Sequence, residues 1–350
     1  MTDLDCIIIG GGPAGLTAAT YLRRLHRRVV VFNDGRSRAR WIPESHNCPG
    51  FPLGVSGEQL LSRLKVQAET YGATIQPQRV GSLQATTGGW RVDTQSGHWS
   101  APTVLLATGV VDRLPELSSG DAEEALRSGL LRSCALCDDY EATDCRIAVV
   151  GPLAKATANA HYLSTFSADV TVVPVSQEGT RPSDTTSTQG IAILAPLKSL
   201  ACIDGGWKVI DANGHVHWFD LVYAAMGAPA RGDLAKQAGA MVDADGAVLT
   251  NEHMETTRPG LYAIGGVILI LIRLRLPTVM RPWPLARYTA LCPKHAEIDR
   301  SHRPTIPPEE PRRRVLSLLT AETWQSSEAQ AFGAAIAQLA SGFRLRRIKA

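Results

Sequence analysis

One unit that the chain uses twice limits its fold more than any other feature. Gly88-Gly-Trp-Arg-Val-Asp-Thr-Gln-Ser-Gly-His-Trp99 leads into Thr103-Val-Leu-Leu-Ala-Thr-Gly109. Far downstream, Gly205-Gly-Trp-Lys-Val-Ile-Asp-Ala-Asn-Gly-His-Val-His-Trp218 leads into Leu221-Val-Tyr-Ala-Ala-Met-Gly227. Turn signals at Ser96-Gly97 and Asn213-Gly214 make each stretch a β-meander, and the apolar run after it reads as a buried strand ending in Ala-x-Gly. Upstream of each copy another apolar run stops at glycine: Cys6 to Ile9 before Gly10, and Arg146-Ile-Ala-Val-Val-Gly151. The expectation is an α/β protein made of two copies of a βαβ half with a meander insert.

The first copy opens with chemistry. Gly10-Gly-Gly-Pro-Ala-Gly15 follows the first run, Leu16 to Arg24 has helical spacing, and Val29 to Phe32 is β-like. In a strand–turn–helix–strand of this kind Gly10 permits the tight turn and Gly12 admits a pyrophosphate to the backbone. Gly15 lets the helix pack on the sheet. The N-terminus of the following helix offers free N–H groups and a dipole that favour phosphate, and Pro13 and Ala14 within the turn are cofactor-binding candidates with the glycines. After the second strand come Asn33-Asp34-Gly35, where a carboxylate should meet a ribose hydroxyl; Asp34 is the candidate and Asn33 the alternative.

Cys134-Ala-Leu-Cys137-Asp138 lies just before the second copy. Zinc would need two further ligands, with Cys145 and His161 nearest in sequence and no second CxxC. An incidental pair is the plain alternative. A redox pair fits best, because two intervening residues on a tight turn bring sulfurs within bonding reach. Ser133 is expected to cap a short helical turn at Cys134 that would favour a thiolate, and Asp138 is suited to carrying a proton. His215 and His217 alternate on one strand face and read as surface residues rather than metal ligands.

Composition excludes other classes. A net charge of +3 over 350 residues is too small for a nucleic-acid or membrane-surface partner. The apolar run Val267 to Leu276 is interrupted by Arg273 and Arg275 and falls short of the roughly 20 residues a bilayer demands. No secretory leader is evident at Cys6 to Ile9, and seven cysteines is an odd number that argues against a structural disulfide framework. A cytoplasmic protein without metal is expected.

Taken together, these segments resemble the low-molecular-weight thioredoxin reductase family of the pyridine nucleotide–disulfide oxidoreductases. The matching stretches are Gly10 to Gly15, Ser45-His-Asn-Cys-Pro-Gly-Phe-Pro52 with Gly57, Leu105-Leu-Ala-Thr-Gly109, Cys134 to Asp138, and Gly260-Leu-Tyr-Ala-Ile-Gly265. The resemblance covers Asp3 to about Val267. It implies two Rossmann-like dinucleotide-binding domains, an FAD domain of residues 1–117 plus 228–350 and an inserted NAD(P)-type domain of 118–227 carrying the cysteines. It further implies FAD held by the glycine turn and the Asn33 to Gly35 segment, with Asn47, Ala107, Thr108, Gly109 and Gly265 along the flavin. Cys134 and Cys137 would exchange two electrons with the flavin, and Asp138 would be the acid/base. The partner would be a thioredoxin-like protein or a small disulfide or dithiol, and the protein a homodimer.

The chain departs from that family in three places. Leu153 stands where the second glycine of the inserted domain's fingerprint belongs, and after Val170 to Pro174 no Arg or Lys occurs until Arg181, so NADPH binding looks damaged or repurposed. Gly265-Gly266 replaces the closing Gly-Asp. Beyond Val267 the resemblance stops: Arg273 to Arg314 is rich in Arg and Pro, Thr320 to Phe343 regains helical character, and Arg344 to Lys349 is a charged end. Three functions remain in view: a disulfide reductase, a dithiol oxidase passing electrons to oxygen without a nicotinamide, and a non-catalytic flavin-fold relic.

Overall fold

β1 (Cys6–Ile9) is a continuous apolar run with every residue buried, and it forms the centre of a parallel sheet. The computed structural model describes residues 4–118, 121–176 and 190–268. Arg181 and the expectations for Arg273 to Arg314, Thr320 to Phe343 and Arg344 to Lys349 lie outside the described residues.

α1 (Pro13–Arg24) begins three residues earlier than the apolar spacing suggests. Proline at the first helical position explains this, because its fixed φ suits the helix and its missing N–H has no partner to lose there. β2 (Val29–Phe32), α2 (Gly57–Thr70) and β3 (Thr74–Gln76) follow. β4 (Val80–Thr86), β5 (Gly89–Thr94) and β6 (Gly97–Ala101) make the first antiparallel meander, and the chain returns as β7 (Thr103–Leu106).

After α3 (Ala122–Arg127) and a short β8 (Leu131–Arg132) the unit repeats. Its members are β9 (Ile147–Gly151), α4 (Leu153–Leu163), β10 (Val170–Pro174) and β11 (Ala192–Ile193). The second meander is β12 (Leu197–Ile203), β13 (Gly206–Asp211) and β14 (Val216–Phe219), and β15 (Leu221–Ala224) follows it. α5 (Asp233–Gln237) and β16 (Leu261–Ala263) complete the α-helices and β-strands of the described residues.

The two parallel sheets have orders β16-β7-β1-β2-β3 and β8-β15-β9-β10-β11. In both, the strand after the meander lies beside the opening strand, so the sequence repeat is a structural one. The difference is at one edge. The first sheet is closed by β16 from downstream, whereas the second takes β8 from upstream, and β8 runs directly into the cysteine pair.

Each sheet buries its own core. Ile7, Val30, Phe32 and Leu83 pack with Trp90 and Ala235 about the first, and Val150, Leu200, Trp207 and Phe219 about one face of the second. Trp90 and Trp207 hold the same place in the two meanders and are 3% and 0% exposed. A fully buried aliphatic or aromatic side chain of this kind stabilises by about 1.5–3 kcal/mol. Two crossings join the sheets and lie side by side: Val111 N–H donates to Pro229 O at 3.0 Å and Arg113 N–H to Gly227 O at 2.9 Å.

His215 and His217 do share a face, but they are not unengaged. Both approach Oδ2 of the buried Asp211, His215 Nδ1 at 3.4 Å and His217 Nε2 at 3.2 Å. Among the described residues no helix is long and apolar enough to cross a membrane.

Candidate functional site

The turn after β1 is shaped by close approach. Gly10 has φ +117°, and a Cβ there would collide with the Ala107 carbonyl. A Cβ on Gly15 would overlap the Gly10 carbonyl oxygen, so α1 can pack this tightly on the sheet only with glycine at that position. The N-cap of α1, Gly12, provides no side-chain cap. The first N–H groups of the helix are thereby left for an anion.

Asn33 and Asp34 divide their roles in a way the sequence does not reveal. Asn33 accepts from Gly35 N–H at 3.0 Å, and its side chain fills the space that a Cβ on Gly11 would need. Asp34 is gripped by Arg36, whose Nε and Nη2 donate to Oδ2 at 3.0 and 2.8 Å. Burial pushes this carboxyl up, but the Arg36 hydrogen bonds and charge outweigh it and hold the group below the usual carboxylate range.

The cysteines form a disulfide, with Cα atoms 5.4 Å apart. The loop between them is a turn, Cys137 N–H donating to Cys134 O at 3.1 Å. The helical start expected at Cys134 is absent, and Ser133 does not cap it. Instead the Ser133 hydroxyl accepts from Arg38 Nη2 at 3.2 Å, and Arg38 Nε donates to Asp112 Oδ2 at 2.6 Å. A guanidinium from the segment after β2 is thus held against Ser133, the residue before the pair. Asn47 Nδ2 donates to Cys137 O at 3.0 Å, a second tie to the loop.

Burial pushes the Asp138 carboxyl up to about 6, against the pull of the Arg132 charge and the Tyr223 hydrogen bond. At neutral pH such a group is mostly carboxylate but takes up a proton far more readily than an ordinary one, which suits proton transfer.

These parts meet. One cavity of about 500 Å³ is lined by Gly10, Gly12, Pro13 and Ala14, by Asn33, Asp34 and Asn47, by Ala107 to Gly109, and by Cys134, Cys137 and Asp138. Gly15, Gly35 and Gly265 sit outside that lining. Gly265 has φ +72° and packs on Ala14, and its neighbour Gly266 reaches the cavity. Arg36, Arg38 and Arg231, and the apolar wall of Trp41, Ile42 and Val110, also line it. Sequence reasoning missed these. The arginines of Arg36-Ser-Arg38, directly after the Asn33 to Gly35 turn, were the available signal. An uncapped helix start with guanidinium groups suits a pyrophosphate, and an apolar wall suits a planar ring, so the residues present fit a dinucleotide cofactor.

In the second unit Gly151 has the close approach of Gly10, since a Cβ there would lie 2.6 Å from the Ala225 carbonyl oxygen. Leu153, however, packs against the core formed by Ala156, Leu163 and Tyr223. Among the described residues no group of three or more His, Cys, Asp or Glu side chains could hold a metal ion.

Known proteins share this plan. A thioredoxin reductase from Treponema pallidum is 28% identical over 287 residues, which span 76% of this chain and 89% of that one. One from Streptomyces coelicolor is 34% identical over 49% of this chain and 54% of its own length. The chain spans about half the length of several of the curated relatives it matches, and only 32% of NADPH-dependent thioredoxin reductase 3 from Arabidopsis thaliana. Among solved structures, the thioredoxin reductase of Streptococcus pyogenes superposes with a TM-score of 0.66 at 26% identity, covering 76% of this chain and 90% of that one. The architecture of two Rossmann-like units is that of these reductases. The model of the pyridine nucleotide-disulphide oxidoreductases matches residues 4–290, and with the glycine turn and the disulfide on one cavity, the chain belongs to that family.

Proposed function

We propose that this protein is an FAD-dependent, thioredoxin reductase-like oxidoreductase that exchanges an electron pair between flavin and a substrate disulfide or dithiol through Cys134 and Cys137. One observation carries the reading: a single cavity is lined by both the uncapped start of α1 and the disulfide. FAD, when bound, supplies a two-electron carrier. The chain's own part is to hold the pyrophosphate at Gly10 to Ala14 and to seat the ring against Ala107 to Gly109 and Asn47. It also keeps a proton available at Asp138.

The reading assigns residues 1–117 with 228–350 to the FAD domain and 118–227 to an inserted domain, a division supported by the two sheets and their paired crossings. The partner is a thioredoxin-like protein or a small disulfide or dithiol, and the protein acts in the cytoplasm as a homodimer. One observation favours a second reading, a dithiol oxidase that returns electrons to oxygen. Leu153, partly buried, packs against a core at the turn where a nicotinamide dinucleotide would need glycine.

The test is the visible spectrum of the FAD-loaded protein under anaerobic titration, first with NADPH and then with a dithiol. Bleaching by either supports the shared chemistry. Bleaching by dithiol alone, with peroxide formed in air, selects the oxidase. A protein that refuses added FAD, or a Cys137→Ser variant that cycles as fast as the parent, refutes both.

A further inference from the structure

Tyr223 is buried, 1% exposed, and the electron exchange above makes no use of it. On β15 it lies in register with Arg132 on β8, two residues before Cys134. Its hydroxyl contacts Asp138 twice, at 2.9 Å from Oδ1 and 3.0 Å from the carbonyl oxygen. Arg132 Nη1 donates to the same carbonyl at 2.6 Å and to the Tyr223 hydroxyl at 3.2 Å, with Nε 3.8 Å from Asp138 Oδ2. The strand pair that enters the cysteine loop therefore grips the residue that leaves it. The other charges acting on the carboxyl, Asp139 and Glu141, come from its own segment. Burial beside the Asp138 charge pushes the Tyr223 hydroxyl up, so it stays a donor. Among aromatic side chains of this size only tyrosine provides that donor; phenylalanine would fill the same space without it.

We propose that Tyr223 is a positioning residue that, with Arg132, orients the Asp138 carboxyl toward the cysteine pair and thereby governs the proton transfer when the disulfide opens. The inference rests on the dithiol chemistry proposed above. When two electrons from reduced flavin or an external dithiol break the Cys134–Cys137 bond, two sulfur anions form. One takes the proton of Asp138, leaving one thiol, one thiolate and a carboxylate. Oxidation runs the same proton back.

The test uses the full chain as Tyr223→Phe, Arg132→Gln and Asp138→Asn beside the parent. The first readout needs no flavin: the rate at which iodoacetamide alkylates the dithiol-reduced protein, followed from acid to neutral pH. The second is the pH profile of dithiol-driven flavin reduction. Carboxyl and thiols titrate as a coupled set, so Asp138 should appear as an acid limb. Losing a donor to the carboxylate favours its protonated form, and the limb should move upward by about one pH unit in Tyr223→Phe. Arg132→Gln should move it in the same direction, and Asp138→Asn should remove it. Superimposable limbs in Tyr223→Phe and parent would leave Tyr223 as packing alone and overturn the proposal, as would a limb that survives Asp138→Asn. If Tyr223→Phe does not fold, Arg132→Gln decides by the same shift. A parent whose flavin no dithiol reduces refutes the proposed function instead, and the alkylation profile still judges Tyr223.

Discussion

Gly15→Ala tests the idea that the cofactor cradle depends on helix–sheet contact. The added Cβ would lie inside the van der Waals shell of the Gly10 carbonyl oxygen, with the Gly10 carbonyl carbon at 3.1 Å and the Ala107 Cβ at 3.2 Å. Two of those neighbours are backbone, and the third is a methyl with no rotamer to change. The helix must therefore move away from the sheet by about 1 Å, in an interior too densely packed to absorb it. Overpacking of this kind costs about 1–3 kcal/mol, and at about 2–4 °C per kcal/mol the flavin-free protein should melt about 2–12 °C lower. The same shift displaces the N–H groups of the turn, so FAD should bind at least about tenfold more weakly, which corresponds to about 1.4 kcal/mol. Thermal unfolding by circular dichroism and equilibrium dialysis with FAD measure the two effects. Gly12→Ala is the control: its nearest neighbour is Ser37 Oγ at 3.2 Å, the tip of a side chain that can rotate. Stability should change by less than about 0.5 kcal/mol there, while flavin affinity still falls because Gly12 lines the cavity. If Gly15→Ala melts within about 1 °C of the parent and keeps its FAD, the steric argument is refuted.

Asp138 predicts a dependence of stability on pH. Its carboxyl is raised from 3.8 to about 6, so the folded state holds this proton more tightly than the unfolded one. The stability contributed by that proton is full below pH 3.8 and is lost as pH rises through about 6, up to about 3 kcal/mol at about 1.4 kcal/mol per unit. Asp138→Asn should therefore be more stable than the parent at neutral pH by about 1–3 kcal/mol, with the gain vanishing toward pH 4, as urea unfolding across pH would show. Equal stability at neutral pH would count against the buried charge. Gly266→Asp should tighten FAD binding, because the new Cβ meets Val110 Cγ1 at 3.5 Å and Gly109 Cα and Val110 N at 3.8 Å, all ordinary contacts. The carboxylate would add one hydrogen bond at the cavity wall, worth about 1 kcal/mol or about fivefold in Kd. Fluorescence quenching during FAD titration measures it, and unchanged affinity would mean that the family's closing carboxylate has no counterpart role here.

The duplicated meander, the buried strands and the glycine turn were legible in the sequence because each is a local pattern. Apolar runs of four, paired turn signals and glycines at fixed spacing dictate backbone conformation with little help from distant residues. Cys134 and Cys137 were legible for the same reason, since three residues of separation bound how far apart their sulfurs can lie. The sequence alone also pointed to Asp138, as the carboxylate beside the pair.

What surrounds those residues was decided elsewhere. Arg38 reaching Ser133, Asn47 reaching Cys137 and Tyr223 reaching Asp138 join positions some 90 residues apart, and no short-range spacing encodes them. The helix expected at Cys134 is not formed, and the Ser133 hydroxyl that was to cap it accepts from Arg38 instead. The register of β8 on β15 puts Tyr223 beside Arg132, and the environment that raises Asp138 exists only once those strands pair. Local sequence determined which groups this protein has for redox and proton chemistry; tertiary packing decided their partners and ionisation, because desolvation and charge act through space rather than along the chain.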